Sequence, residues 1–319
     1  MLWSIKGNRK YIRRPALIFM LAAALFLAGF CGDGSAAVKK SGQEAFSSPE
    51  EACTAFFQAV KDKDRNKLLA VLGADARDLI ESGDPVADAE GVNLVTRLYE
   101  EKIQILKSGD RKAVITVGSD NWPFPLPVVE RNGKWRFDTK AGRQEVLDRR
   151  IGKNELSTIQ VCRGYVAAQR EYAAQPHDAS GLLAYAQKFF SEPGKQDGLY
   201  WQVKEGEPPS PVGIFMAAAY KEGYREGNKP SPYHGYFFRI LKAQGKNAPG
   251  GAYDYVANGR MIGGFALIAY PAKYGVSGIM TFIVNQNGEV YERNLGPKTE
   301  LVAQAIKLFD PDKSWRQVK

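Results

Sequence analysis

Apolar side chains at four-residue spacing mark the first patterned zone of the chain, residues 46–140. The tetrapeptide Ser48-Pro49-Glu50-Glu51 has the form of a capping box with proline at the first helical position, which predicts a helix start. Ala52, Phe56 and Val60 follow and give this helix one apolar face. The zone therefore begins with an amphipathic helix.

Later in the same zone the period changes from helix to strand. Asn132-Gly133 is a two-residue hairpin signal between two short β-rich segments. Helices followed by antiparallel strands predict an α+β unit whose helices pack on an antiparallel sheet. The predicted elements are helices at residues 68–72 and 92–99 and strands at residues 113–117, 128–131 and 134–137.

A mainly helical middle region is predicted for residues 143–227. Apolar residues keep near-helical spacing up to Pro176, with a break and restart expected at residues 152–154, where glycine and asparagine occur. Shorter helices are predicted at residues 182–190 and 212–226.

The last zone, residues 233–319, is predicted to be an antiparallel β-rich unit. Its strands are expected to pair through tight turns rich in asparagine and glycine. The predicted elements are strands at residues 236–241, 262–270, 279–284 and 289–291 and a helix at residues 299–309. The fold class predicted for the whole chain is therefore α+β.

Residues 1–36 have the three parts of a cleavable signal peptide. The first 14 residues carry five basic side chains and no acid, and an apolar run extends from Pro15 to Phe30. Small residues then surround Ala36 and Ala37, after either of which cleavage is expected. This pattern predicts export to the periplasm by the general secretory route. The apolar run is short for a membrane span, which needs roughly 20 residues, so no permanent anchor is expected after cleavage.

Two other export signals are disfavoured. A lipoprotein signal at Cys31 would need a small residue at the preceding position, where Phe30 stands. A twin-arginine signal at Arg13-Arg14 would need a large apolar residue where Ala16 stands.

Charge argues against a nucleic-acid partner. The formal charge of +9 falls to +5 once residues 1–36 are removed, because that segment holds five basic residues and one acid. The remaining charge permits attraction to anionic envelope polymers. The sequence has no basic run with interleaved aromatic residues of the kind that binds nucleic acid.

No catalytic or metal-binding motif is found, and no cofactor is predicted. The two histidines, His177 and His234, have no metal-ligand spacing to another histidine or cysteine. Cys53 and Cys162 each lie on an apolar helical stripe, where a free cysteine behaves as a small buried hydrophobe. The alternative, a disulfide between these two cysteines in an oxidising compartment, is left open by the sequence. Aspartate and glutamate are plentiful, so the alternative of a cell-wall or polysaccharide hydrolase that uses Asp and Glu residues stays open.

Aromatic residues in predicted loops are the candidate ligand-binding residues, because binding surfaces are often built on loops. We predict that they line a groove between the zones that accepts a glycan or peptide strand by stacking. The alternative is that the same rings seal the contacts between zones. The candidates are Trp122, Phe124, Trp201, Tyr233, His234 and Tyr236.

Several sequence strings resemble known families. The SPEEA and GKWRFD strings make the first zone similar to the cystatin-like cone of the nuclear-transport-factor-2-like superfamily, and GYFFRIL with the strands after it resembles a pilin-type globular β-head. Over nearly the whole mature chain, strings such as ESGDPVAD, GKNEL, SPYHGYFFRIL and YGVSGIMTF identify it as a member of the bacterial family called domain of unknown function 2950. The resemblance implies an exported protein with no assigned activity. Because no catalytic motif is found, the prediction is a non-catalytic cell-envelope binding or assembly protein, whose partner is an envelope protein, a glycan or a peptide.

Overall fold

The computed structural model describes residues 42–213, 216, 219, 224 and 231–318. The predicted signal peptide lies outside these residues. The α+β class is confirmed, and the first helix begins as predicted. The Ser48 hydroxyl accepts a hydrogen bond from the Glu51 backbone N–H at 3.1 Å, and the Glu51 carboxylate accepts one from the Ser47 N–H at 2.7 Å.

The N-terminal half packs helices on one face of an antiparallel sheet in the order β1-β2-β4-β5, with β3 paired to β2. Asn132 and Gly133 have φ values of 57° and 72°, as the predicted hairpin requires. The helices are α1 Pro49–Lys61, α2 Arg65–Leu72, α3 Arg77–Ile80 and α4 Pro85–Glu101. The strands are β1 Ile103–Lys107, β2 Lys112–Val117, β3 Trp122–Pro123, β4 Val128–Arg131 and β5 Lys134–Phe137.

A single long helix, α5 Thr139–Tyr172, connects the two halves. The predicted break at residues 152–154 is wrong. A mid-helix glycine costs only about 1 kcal/mol relative to alanine, which burial of the helix on both sides of it offsets. Val146 and Ile151 belong to the first core, whereas Cys162 and Tyr165 belong to the second.

The helix predicted at residues 182–190 is also wrong. Tyr185 donates its backbone N–H to the Met261 carbonyl at 2.8 Å, and Ala186 donates its N–H to the Gln169 side chain at 2.8 Å. These long-range bonds hold the segment in an irregular extended form. Of the helix predicted at residues 212–226, most positions lie outside the described residues; Gly213, Met216 and Ala219 are helical.

The C-terminal half is built on an antiparallel sheet in the order β14-β13-β12-β11-β6. Strand β11 begins later than predicted, because Gly264 has a φ of 149° and a Cβ there would lie 2.9 Å from the Gln286 side-chain oxygen. The strands are β6 Tyr236–Leu241, β7 Ala243–Gln244, β8 Tyr253–Asp254, β9 Val256–Ala257, β10 Arg260–Met261, β11 Ala266–Pro271, β12 Met280–Asn285, β13 Val290–Asn294 and β14 Arg316–Gln317.

The final helix, α6 Thr299–Ala305, is shorter than the predicted residues 299–309. Phe309 lies beyond it and is fully buried in the second core, where its backbone N–H donates to the Ala243 carbonyl at 3.0 Å. Both cysteines are free and buried, Cys53 in the first core and Cys162 in the second.

Candidate functional site

The six aromatic candidates occupy three separate places in the structure. Trp122 packs against the first core, and Phe124 is 3% exposed within it. The Phe124 ring lies 5.3 Å from the Phe56 ring and 5.7 Å from the Phe57 ring, measured between centroids. Phe124 therefore contributes apolar packing in the N-terminal half.

Trp201 lies half-buried against the second core, far along the chain from the first pair. Its ring centroid is 5.5 Å from that of His177 and 6.4 Å from that of Tyr172. The His177 ring stacks on Tyr172 at 3.8 Å, and its Nε2 donates to the Tyr172 carbonyl at 2.8 Å. This cluster closes the C-terminal end of α5, and its rings contact one another.

Tyr233, His234 and Tyr236 lie at the start of strand β6. Tyr236 is fully buried, and its hydroxyl donates to the Met280 carbonyl at 3.0 Å. Tyr233 and His234 are half-buried and contact each other and Tyr224, with ring centroids 4.1 to 5.9 Å apart. Burial, followed by the Lys153 charge, lowers the pKa of His234 to about 4, so the ring is neutral near pH 7.

Beside His234, a fully buried aspartate ties the two halves together. One oxygen of Asp84 caps α4, because it accepts the N–H groups of Val86 and Ala87 at 3.2 and 3.1 Å. The other oxygen accepts the Tyr224 hydroxyl and the Gly235 N–H, both at 2.8 Å. Burial raises the pKa of Asp84, and these hydrogen bonds oppose that effect.

A buried acid and base extend this network. Asp88 is 1% exposed and accepts the Ser82 N–H at 3.1 Å. Burial raises the pKa of Asp88 to about 6, against the hydrogen bonds from Ser82 and the charge of Arg150. The fully buried Arg150 side chain donates to the carbonyls of Asp78 and Leu79 at 2.7 and 2.6 Å. Burial lowers the pKa of Arg150 to about 10, which leaves it charged at neutral pH.

Helix α5 holds the C-terminal half through two further side chains. Asn154 donates to the Ser277 carbonyl at 2.9 Å, and one Glu155 oxygen accepts the N–H groups of Ile279 and Met280, both at 2.9 Å. A Cβ on Gly235 would lie 2.5 Å from the Asn154 amide nitrogen, and its φ of 77° favours glycine. We call Asp84, Asp88, Arg150, Asn154, Tyr224 and Gly235 the polar junction.

The side chains of the polar junction stabilise the fold. Both of its carboxylates are almost completely buried, and both accept hydrogen bonds from the protein itself. A glycosidase pair, in contrast, must face a substrate across a cleft. Within the described residues, no group of three or more histidine, cysteine, aspartate or glutamate side chains could hold a metal ion.

An open groove of about 740 Å³ lies in the N-terminal half. It is bounded by the end of α2, by strands β4 and β5 and by the first turn of α5. We call it the basic groove. Its lining is formed by residues 72–75 and 136–140 and by Gln43, Val129, Arg131 and Arg143.

The cations of the basic groove differ in how they are paired. Arg131 forms a 3.5 Å ion pair with Asp138, and Arg143 pairs with Asp78 and also donates to the Asp75 carbonyl at 2.9 Å. Lys140 is exposed and Arg136 is half-buried. Among the described residues, neither of these two forms an ion pair or a side-chain hydrogen bond.

Residues 43–318 match the family described as protein of unknown function, DUF2950. The chain belongs to this family. No curated protein and no solved structure matches it significantly, so the likeness to a cystatin-like cone and to a pilin head has no independent support. In the described part of the chain, no helix has the length and apolar character needed to cross a membrane.

Four of the strings that carry the family resemblance meet at the polar junction. ESGDPVAD supplies Asp84 and Asp88, GKNEL supplies Asn154 and Glu155, SPYHGYFF supplies Gly235, and YGVSGIM supplies the Ser277 carbonyl. These four strings therefore supply residues that hold the two halves together.

Sequence reasoning missed both the polar junction and the basic groove. Asp84-Pro85 is typical of a helix start, with aspartate as the N-cap and proline at the first helical position. This pattern predicts the cap of α4 but not the contacts of Asp84 with the C-terminal half. Arg136 and Lys140 stand among many other basic residues, and nothing local distinguishes them.

Proposed function

We propose that this chain is an exported protein of the cell envelope that binds a glycan or peptide in the basic groove and acts without catalysis. The basic groove carries this proposal. Its volume of about 740 Å³ is within the roughly 300–1,000 Å³ usual for ligand sites. Arg136 and Lys140 provide charges there that the described protein does not itself neutralise.

The floor of the groove is held in place by hydrogen bonds. The Gln43 amide donates to the carbonyls of Val71 and Phe137 at 3.0 and 2.7 Å. The Thr139 hydroxyl donates to the Leu72 carbonyl at 2.6 Å. These bonds connect α2, β5 and α5, so the groove is formed before a ligand binds, which reduces the ordering cost of binding.

Export is tested by sequencing the N-terminus of the protein recovered from cells. The basic, apolar and small-residue segments in residues 1–36 motivate this part of the proposal. We expect the mature protein in the periplasmic fraction, beginning at Ala37 or Val38. A chain that retains Met1, or that begins at a lipid-modified Cys31, would contradict it.

Binding without catalysis is tested by incubating the mature chain with purified cell-wall sacculi. We expect the protein to sediment with the sacculi and to release no soluble fragments. The variant carrying Arg136→Glu and Lys140→Glu should remain in the supernatant. Lys134→Glu is the matched control, because Lys134 is exposed on the same strand but lies outside the groove.

Two results would contradict this proposal. Soluble fragments that accumulate with time, as measured by mass spectrometry, would favour the hydrolase alternative. Equal sedimentation of the parent and the groove variant would show that binding does not use the groove.

A further inference from the structure

We infer that the ligand of the basic groove is a glycan that carries repeated carboxylate or phosphate groups, an inference that rests on the proposed function. The groove is lined by four basic side chains, Arg131, Arg136, Lys140 and Arg143, and by two acidic ones, Asp75 and Asp138. Its lining therefore has a net charge of +2. A concave surface with an excess of one charge concentrates ligands of the opposite charge.

Arg136 and Lys140 are the two cations available to a ligand. The Arg131 and Arg143 side chains are engaged by Asp138 and Asp78. The half-buried Arg136 is suited to an oxyanion, because a guanidinium donates two parallel hydrogen bonds to two oxygens of a carboxylate or phosphate. Lys140 adds a second point charge at the first turn of α5. Two separate cations favour a ligand with more than one anionic group.

A peptide that binds by strand addition does not fit this groove. The outer edge of β5 is already paired, since Phe46 and Trp135 exchange both backbone hydrogen bonds at 2.9 Å. The next carbonyl on that edge, Phe137, accepts the Gln43 amide. The main-chain bonds that give extended peptides their affinity are therefore occupied.

A neutral sugar that binds by stacking is also disfavoured. The only aromatic ring among the lining residues is that of Phe137, which is 1% exposed and belongs to the first core. Without an exposed ring, recognition depends on the charges of Arg136 and Lys140. Anionic glycans meet this requirement through side groups that repeat along the chain.

The experiment uses the mature chain and calorimetric titration with matched probes. The probes are oligogalacturonate, its methyl ester, a phosphorylated oligosaccharide and oligoglutamate of similar length. We expect one or both anionic sugar-type probes to bind and the methyl ester to bind at least about tenfold more weakly, a difference of about 1.4 kcal/mol. Binding should weaken as the salt concentration rises, because exposed charges are screened.

Variants locate the site. Arg136→Gln with Lys140→Gln should weaken binding of the anionic probe by about tenfold or more, whereas Lys134→Gln should leave it unchanged. A carboxylate preference over phosphate, or the reverse, identifies which anionic group the groove prefers.

The remaining outcomes separate this inference from the proposed function. If the methyl ester binds as tightly as oligogalacturonate, the inference that the ligand is anionic is overturned. If oligoglutamate binds more tightly than the anionic sugar probes, the inference that the ligand is a glycan is overturned. Both results would leave the proposal of binding in the groove intact. Sedimentation with sacculi but no binding of any probe would overturn this inference alone. Absence of binding to sacculi and to every probe would contradict both.

Discussion

The polar junction and the basic groove use the same side-chain types in opposite environments. At the junction, Arg150 is fully buried and donates to backbone carbonyls, and Asp84 accepts four hydrogen bonds from its own chain. In the groove, Arg136 and Lys140 face open space without a described partner. A charge that the fold satisfies serves stability, whereas a charge that it leaves unsatisfied is available to a ligand.

Asp84→Ala provides the strongest test of the structural side of this comparison. We expect a loss of about 3–5 kcal/mol in the free energy of unfolding, because the α4 cap is removed and the buried Tyr224 hydroxyl and Gly235 N–H lose this acceptor. Denaturant unfolding measures the loss.

Asp64→Ala is the matched control for that variant. Asp64 caps α2 through the Lys67 N–H at 3.0 Å and, within the part of the chain that the structure describes, its side chain forms no hydrogen bond to the C-terminal half, so the variant should lose only about 1 kcal/mol. Similar losses for the two variants would mean that the Asp84 contacts across the halves contribute nothing, and the comparison would fail.

Asp88→Asn tests whether the buried acid of the junction responds to pH. Its pKa is raised to about 6 in the folded protein, so the folded state holds the proton more tightly than the unfolded chain. The resulting stabilisation is complete below about pH 4 and is lost as pH rises through 6. As the pH rises from about 4 through 6, the unfolding free energy of Asp88→Asn should therefore increase relative to that of the parent, by up to about 3 kcal/mol.

Urea unfolding at several pH values checks this prediction, with Asp148→Asn, an exposed position on α5, as the control. A constant difference between Asp88→Asn and the parent from pH 4 to pH 7 would show that Asp88 does not titrate in this range.

How much the sequence predicts depends on how local the deciding interaction is. The Ser48 cap and the Asn132-Gly133 turn were predicted, because both form within a few residues. The continuous α5 was not, because its apparent break is offset by packing against both cores. The Asp84 bond to Gly235 spans 151 positions, and nothing in either segment indicates its partner.

The same reasoning explains the aromatic candidates. Their predicted loop positions suggested an exposed groove, but Phe124 and Tyr236 are buried in different cores. Contact of a ligand with Trp122, Trp201, Tyr233 or His234, all half-buried, stays a prediction. The basic groove could not be predicted, because it is assembled from separate segments around Gln43, Leu72, Arg131 and Arg136.

Cys162→Ser tests the cost of burying a polar group with a smaller change than those at Asp84 and Asp88, because it alters no charge and lies in the second core. Burial raises the pKa of the Cys162 thiol to about 12, so the group is an inert thiol. A serine hydroxyl in the same apolar surroundings should cost about 1–3 kcal/mol of unfolding free energy. Cys162→Ala separates the cost of the hydroxyl from that of lost volume. Equal stability of the serine variant and the parent would contradict the burial.

The smallest expected effect on stability belongs to the groove. Arg136 and Lys140 form no described ion pair, so Arg136→Gln with Lys140→Gln should change the free energy of unfolding by no more than about 0.5 kcal/mol, as for ordinary surface positions. Removal of two positive charges also reduces repulsion with Arg131 and Arg143, which offsets part of any loss. Thermal and denaturant unfolding measure this change, and the same preparation is used for binding. A loss of several kcal/mol would mean that the fold does use these charges, and the distinction between the polar junction and the basic groove would then be lost.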